Sequence, residues 1–388
     1  MLRVVKYARV LDLPGLLAKK SCFLFGPRAT GKSYLVREQL ASRAIVIDLL
    51  RSDLFLRLSA NPGDLESLVG AKRGPSTWVV IDEVQKIPEL LDEVHRLIEE
   101  RRIRFLLTGS SARKLRRRRA NLLAGRAWPA SLFPLVWPEI PKFDLSRHLR
   151  WGGLPSVVPS DEPDEELAAY TRTYLQEEVL AEGLVRRLPP FARFLTVAAL
   201  SNGQMVNFEQ IASDAAVPAS TVREYVAILE DTLIGFLLEP WTGSRRRKAI
   251  ATAKLYLFDT GVTHAIAGTR VVDRNSDLWG RSFEQWVGLE LRAYLAYRRR
   301  PDRLAYWRST HGHEVDFVVG DHTAIEVKAT RRVSPRDLHG LRALAEEGAF
   351  RSYLLVSDDR AEAFREGVRC LPWETFVQEL WADQLLPA

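Results

Sequence analysis

The stretch GPRATGKS, residues 26–33, follows the apolar run SCFLFG (21–26) and opens YLVREQLAS (34–42), whose apolar residues recur at helical spacing. It fits G-x-x-x-x-G-K-[ST] in full, between a strand and a helix, which is the context in which that pattern binds phosphate. Glycines let the backbone curl round a phosphate, and successive N–H groups at the helix N-terminus face its negative charge. Gly26, Pro27, Arg28, Ala29, Thr30, Gly31, Lys32 and Ser33 are therefore expected to cradle the phosphates of ATP. Lys32 would reach the β- and γ-phosphates, and Ser33 would ligate Mg2+. A chance Gly-rich turn would need no partner elsewhere in the chain.

A partner is present. TWVVIDE (77–83) is an apolar strand ending on two carboxylates. Asp82 would hold Mg2+ through its water shell, and Glu83 would orient and deprotonate the attacking water. RFLLTGSS (104–111) reads as a further strand whose Thr108 or Ser110 could meet the γ-phosphate. Arg126, in LLAGRAWPASLFPL (122–135), carries two readings: a positive charge for the γ-phosphate, in cis or from a neighbouring subunit, or a surface arginine. With AIVIDL (44–49) as another strand and 83–100 at helical spacing, strands and helices alternate. That alternation implies a parallel sheet covered on both faces.

The whole chain has 388 residues, 46% of them hydrophobic and 27% charged, enough for more than one domain with proper cores. Its net charge of +7 suits an anionic partner such as DNA, although 49 acidic residues offset most of the 56 basic ones. Two distant cysteines build neither a disulfide framework nor a zinc site, so a cytoplasmic protein is expected. The first twenty residues break every apolar run with a charge, and no run is long enough to span a bilayer, so no membrane association is expected.

Several segments together carry a resemblance: FLFGPRATGKSYL, VVIDEVQKIPELLDEVHRLIE, FLLTGSSARKL, AGRAWPASLFPL, WGGLPSVV, EDTLIGFLLEPW, KLYLFDTGV, GRSFEQWVGLEL and YWRSTHGHEVDFVV followed by IEVK. In this order they resemble the bacterial and archaeal AAA-type P-loop ATPases that carry a C-terminal domain of unknown function, over nearly the whole chain. The resemblance implies an α/β protein. Its parts would be an AAA-like ATPase domain over 1–143, a helical and winged-helix region over 144–275, and a C-terminal domain over 276–388 similar to PD-(D/E)xK nucleases. An oligomer is implied by analogy alone.

Residues 205–241 read as two helices joined at Val217-Pro218, with strands LIGFLLEPW and KLYLFD flanking the basic run Arg245-Arg246-Arg247-Lys248. That is helix-turn-helix spacing with a basic wing tip for DNA phosphates, or a module packing on protein. The run KLRRRR (114–119) is a solvated helix face or a contact for an acidic partner.

HGHEVDFVVGDHTAIEVK (311–328) alternates acidic and apolar residues across a Gly-Asp turn. Side chains alternate along a strand, so Glu326 and Lys328 share a face, and Asp316 can join them across the turn. Glu284, on the preceding helix, would complete a set of Glu284, Asp316 and Glu326 holding Mg2+ or Mn2+, with Lys328 aiding the nucleophile or the leaving phosphate. Glu314, His311 and His313 stand near enough in sequence to add a ligand. A hairpin with one solvated face is the bland reading. Two functions follow: a Mg2+-dependent ATPase coupled to a nuclease-like half acting on DNA, or an ATP-dependent switch binding a protein partner through a silent C-terminal domain.

Overall fold

Four apolar runs and a fifth, AWPAS, become the strands of one parallel sheet: β1 (Ser21–Phe25), β2 (Ala44–Asp48), β3 (Trp78–Asp82), β4 (Arg104–Gly109) and β5 (Ala127–Ser131), in the order β2-β3-β4-β1-β5. The computed structural model describes residues 6–109, 123, 125–174, 179, 185, 187–244 and 247–387. They divide into two units, one holding the chain up to Leu135 with Asp231–Ile234, the other Val136–Glu230 and Gly235–Ala388. The boundary expected at 143 lies a few residues past this division, and the one expected at 275 falls inside the second unit.

In the first unit α1 (Leu13–Leu17), α2 (Lys32–Leu40), α3 (Ser52–Ala60), α4 (Asp64–Val69) and α5 (Leu90–Arg101) join the strands. Leu90, Leu91, Val94 and Leu97 line one face of α5 and pack with Val79, Ile81, Phe105 and Leu107 of β3 and β4. Each such side chain, fully buried, contributes about 1.5–3 kcal/mol. All adjacent strands run parallel. Their C-terminal ends therefore share one edge, where ligands of open α/β sheets bind.

The second unit opens with α6 (Leu145–Trp151), α7 (Pro163–Thr173), α8 (Leu188–Leu200), α9 (Phe208–Ala215) and α10 (Ala219–Asp231). The hairpin β6 (Gly235–Leu238) and β7 (Lys254–Leu257) follows, then α11 (Thr260–Ala267) and the long α12 (Asp277–Tyr297). The chain ends in β8 (Leu304–Arg308), β9 (Glu314–Val319), β10 (Thr323–Lys328), α13 (His339–Ala345), β11 (Ser352–Ser357), β12 (Ala363–Arg365), β13 (Val368–Pro372) and α14 (Trp373–Trp381). These strands form one sheet, β12-β13-β11-β10-β9-β8, in which β8, β9 and β10 are an antiparallel meander and β10, β11 and β13 run parallel.

The helix pair α9–α10 is as the spacing predicts. Asn207 caps α9 by accepting from the Gln210 N–H, and Ala216, at φ 52°, makes the turn. Of the basic run 245–248, Arg247 is held within the chain. The β6–β7 loop lies along the outer edge of β8: the Trp241 N–H donates to the Tyr306 carbonyl (2.6 Å), the Tyr306 N–H to that of Glu239 (3.1 Å) and the Ile250 N–H to that of Arg308 (2.9 Å). Arg247 is bound by Glu346, Glu347 and the Ala343 carbonyl. An edge strand presents unpaired N–H and C=O groups, and this loop satisfies them instead of projecting. Arg245, Arg246 and the run 114–119 lie outside the described residues.

Two glycine-containing turns interlock in this unit. The buried Asp259 carboxylate caps α11 through the Val262 N–H (2.9 Å) and also accepts from the Gly153 N–H (2.7 Å). A Cβ on Gly261 would stand 2.1 Å from the Trp151 carbonyl oxygen, so only glycine lets α6 and α11 approach so closely. Gly261→Ala is expected to destabilise the second unit by about 1–3 kcal/mol in chemical denaturation. Burial pushes the Asp259 carboxyl from 3.8 up to about 6, against the two N–H donors. Its contribution is thus fully present below about pH 4 and is lost as pH rises through about 6. A denaturation series from pH 4 to 7 should show this slope, and Asp259→Asn should flatten it.

Candidate functional site

The loop 26–33 leaves β1 beneath the chain that follows β5. The Leu132 N–H donates to the Phe25 carbonyl (2.7 Å), and a Cβ on Gly26 would meet the Leu132 oxygen at 2.5 Å. Ala29 (φ 61°) and Gly31 (φ 91°) take left-handed conformations. The Thr30 hydroxyl closes the turn onto the Pro27 carbonyl (2.8 Å). The Lys32 ammonium lies back over the loop, donating to the carbonyls of Gly26 (2.7 Å) and Pro27 (3.0 Å). Arg9, which the sequence did not single out, bridges the Thr30 carbonyl (2.8 Å) and the Phe133 carbonyl (2.7 Å), tying the loop to the end of β5.

Asp82 ends β3 and is buried. Beside it, the Thr108 hydroxyl donates to Asp82 Oδ1 and accepts from the Glu83 N–H (3.1 Å). The Thr108 proton is thus committed to a carboxylate, so this side chain positions Asp82 and Glu83 and does not offer a donor to a γ-phosphate. Glu83 has φ 61° and accepts from Gln85 Nε2. Ser110 lies outside the described residues.

Arg126 is placed at the wrong edge for a γ-phosphate in its own chain. In the parallel pair β1–β5, Ala127 stands beside Ser21, the first residue of β1. The phosphate loop begins beyond Phe25, about 13 Å further along at 3.3 Å per residue. Arg126 instead pairs with Glu99 of α5. Sequence order gave no sign of which edge it would occupy.

A second constellation lies in the second unit. The β8–β9 register slips between Ala305–Val318 and Trp307–Val315, so that Tyr306 faces both Asp316 and Phe317. Bulges of this kind re-aim side chains. Asp316 Oδ2 accepts the Val327 N–H of β10 (2.8 Å). Lys328 pairs with Glu326 Oε1, while Glu326 Oε2 is buried with no hydrogen-bond partner. Glu284 reaches the same place from α12. A pocket of about 530 Å³ opens here, lined by Glu284, Asp316 and Lys328 with Arg274 and Arg281.

Burial, then the charge of Glu284, pushes the Asp316 carboxyl up to about 7. Burial and Asp316 push Glu326 well above the usual carboxylate range. Burial alone would lower Lys328, but Glu326 and Asp316 outweigh it and raise its pKa.

The chain places a second lysine here that the sequence did not flag. Lys254, first residue of β7 and 3% exposed, sends Nζ between Glu284 Oε1 (3.2 Å) and Glu314 Oε1 (2.6 Å). Tyr256 donates its hydroxyl to Glu284 Oε1, and Arg308 pairs with Glu314 Oε2 (2.9 Å). A lysine opening the otherwise apolar run KLYLF was the available signal. His313 packs edge-on against His339 at 4.8 Å. Among the described residues no three His, Cys, Asp or Glu side chains gather as metal ligands. The set Glu284, Asp316 and Glu326 therefore does not fit a metal as it stands, because Glu284 already holds Lys254 and Tyr256.

Comparison with known proteins agrees with the first unit. Residues 18–141 match the family model described as an AAA domain. Residues 142–273 and 279–376 match two domains of unknown function, DUF8612 and DUF4143. The first unit is thus an AAA-type P-loop domain on a parallel sheet. The chain is similar to an uncharacterised protein of Mycobacterium tuberculosis, 29% identical over 79% of this chain and 70% of that one. It is also similar to one of Methanocaldococcus jannaschii, 22% identical over 92% of this chain and 85% of that one. Among solved structures, the Aeropyrum pernix ORC2 protein aligns at 13% identity over 68% of this chain and 98% of that one, with a TM-score of 0.36, too loose an overlay to bear on the fold. Among the described residues no helix is long and apolar enough to cross a membrane.

Thr108→Val would leave the Asp82 carboxylate and the Glu83 N–H without their partner. It is expected to lower the stability of the first unit by about 1–3 kcal/mol in chemical denaturation, with Thr108→Ser recovering most of the loss.

Proposed function

We propose that the protein is a Mg2+-dependent ATPase whose second unit is a winged-helix and PD-(D/E)xK-like half directed at DNA. The observation that carries the ATPase reading is the convergence of Gly26–Ser33, Asp82 and Glu83 on one edge of the parallel sheet. The loop N–H groups at the start of α2 would bind the phosphates. Lys32 would exchange the Gly26 and Pro27 carbonyls for phosphate oxygens. Asp82 suits a hard cation, being a buried carboxylate whose described partner is one neutral hydroxyl. With Ser33 it would hold Mg2+, which supplies charge neutralisation on the phosphates when bound. Glu83 would align the water and take its proton.

For the second unit, support comes from α9, α10 and the β6–β7 hairpin, and from a pocket whose carboxylates and arginines suit a phosphodiester. A specific observation favours the other reading, an ATP-driven switch with a silent second unit and a protein partner or second copy: Glu284 and the hairpin's Arg247 are already engaged within the chain.

Lys32→Ala is expected to abolish ATP turnover, and full activity in that variant would sink the assignment. Glu83→Gln should keep ATP binding and lose about 10²–10⁴-fold in turnover. Cleavage of DNA with ATP and Mn2+, lost in Glu326→Ala, would support the nuclease reading. Uncut single- and double-stranded DNA and RNA would leave the switch.

A further inference from the structure

Lys254 enters the acidic centre from β7, outside the α12–β10 segment that carries the other members. Its side chain is 4% exposed, it touches Glu284 and Glu314, and it lies 5.2 Å from the Tyr306 ring centroid. It is a fixed ammonium inside the cluster and not a surface lysine folded over it. Glu326, only 5% exposed, meanwhile keeps one carboxylate oxygen unpartnered. The centre thus contains both an oxygen open to a cation and a cation already in residence.

We infer that Lys254 is the resident cation of this centre, its ammonium taking the place against Glu284 that a divalent ion would hold, so that a metal binds there only as Lys254 is displaced. The inference rests on reading Asp316 and Glu326 as cation-binding carboxylates. Three observations support it. Glu284, the residue that would complete a metal site, has one oxygen claimed twice, by Lys254 and by Tyr256. Lys254 is held between two carboxylates, with Glu284 Oε1 at 3.2 Å and Glu314 Oε1 at 2.6 Å, in a place its side chain leaves only 4% exposed. Removing the ammonium would leave Glu284 without its positive partner, a vacancy of the right sign for a divalent ion.

The test is Mn2+ binding to the full, nucleotide-free chain, followed by electron paramagnetic resonance or calorimetry. Wild type should show no saturable site that Glu326→Gln removes. Lys254→Met, which keeps the apolar stem and removes one competing charge at contact distance, should gain a saturable Mn2+ site at least about tenfold tighter than any residual binding by wild type. Lys254→Met/Glu326→Gln should lose that gain. In chelator Lys254→Met should melt below wild type and recover on adding Mn2+. If it folds only with Mn2+ present, the proposal holds. If Mn2+ neither binds nor rescues it, the proposal falls. Tight Mn2+ binding by wild type, removed by Glu326→Gln, would overturn it whatever the variant does. Nuclease activity is not the readout, so failure to cut DNA leaves this test intact.

Discussion

Carboxylates buried side by side either take up protons or keep their charge because cations are buried with them. The second unit is organised round that constraint. Glu284, Glu314, Asp316 and Glu326 come from α12, β9 and β10, and the answering charges come from β7, β8 and β10 as Lys254, Arg308 and Lys328. Only β10 supplies both signs, as Glu326 and Lys328. The irregular register of β9 belongs to the same solution, since it lets the Asp316 carboxylate take a backbone N–H of β10.

The first unit meets a milder version of the problem. Its loop 26–33 turns through left-handed residues beside the buried Asp82, and both would need polar partners. Three internal contacts hold them in place: Lys32 on the loop carbonyls, Arg9 between Thr30 and Phe133, and Thr108 between Asp82 and Glu83. Each binds backbone or a carboxylate of the same edge.

What the sequence could show follows from range. The loop 26–33 is eight contiguous residues, so its turn between a strand and a helix could be read directly. Asp82 and Glu83 were legible because an apolar strand points its last residues at a known edge. The grouping of Asp316, Glu326 and Lys328 was legible because strand alternation and a short turn bring them together, whereas Glu284 was named from the resemblance to a nuclease pattern. Arg9, Lys254 and Tyr256 were not, because their partners lie far off in sequence: 124 residues separate Arg9 from Phe133, and 30 separate Lys254 from Glu284. Arg126 misled because nearness in sequence to β5 says nothing about which end of the sheet it meets. For the hairpin, composition could not show that Trp241, Arg247 and Ile250 bind within the same unit, because their partners on β8 and α13 lie far off in sequence.

That loop has a consequence for how the protein can change over time. The hairpin that seals the outer strand of the six-stranded sheet is the same one that brings Lys254 to the acidic centre. A gene encoding only the sheet domain would yield a chain with a raw edge and stranded negative charge. The chain before residue 275 thus gives the sheet that follows it both an edge cover and a buried cation.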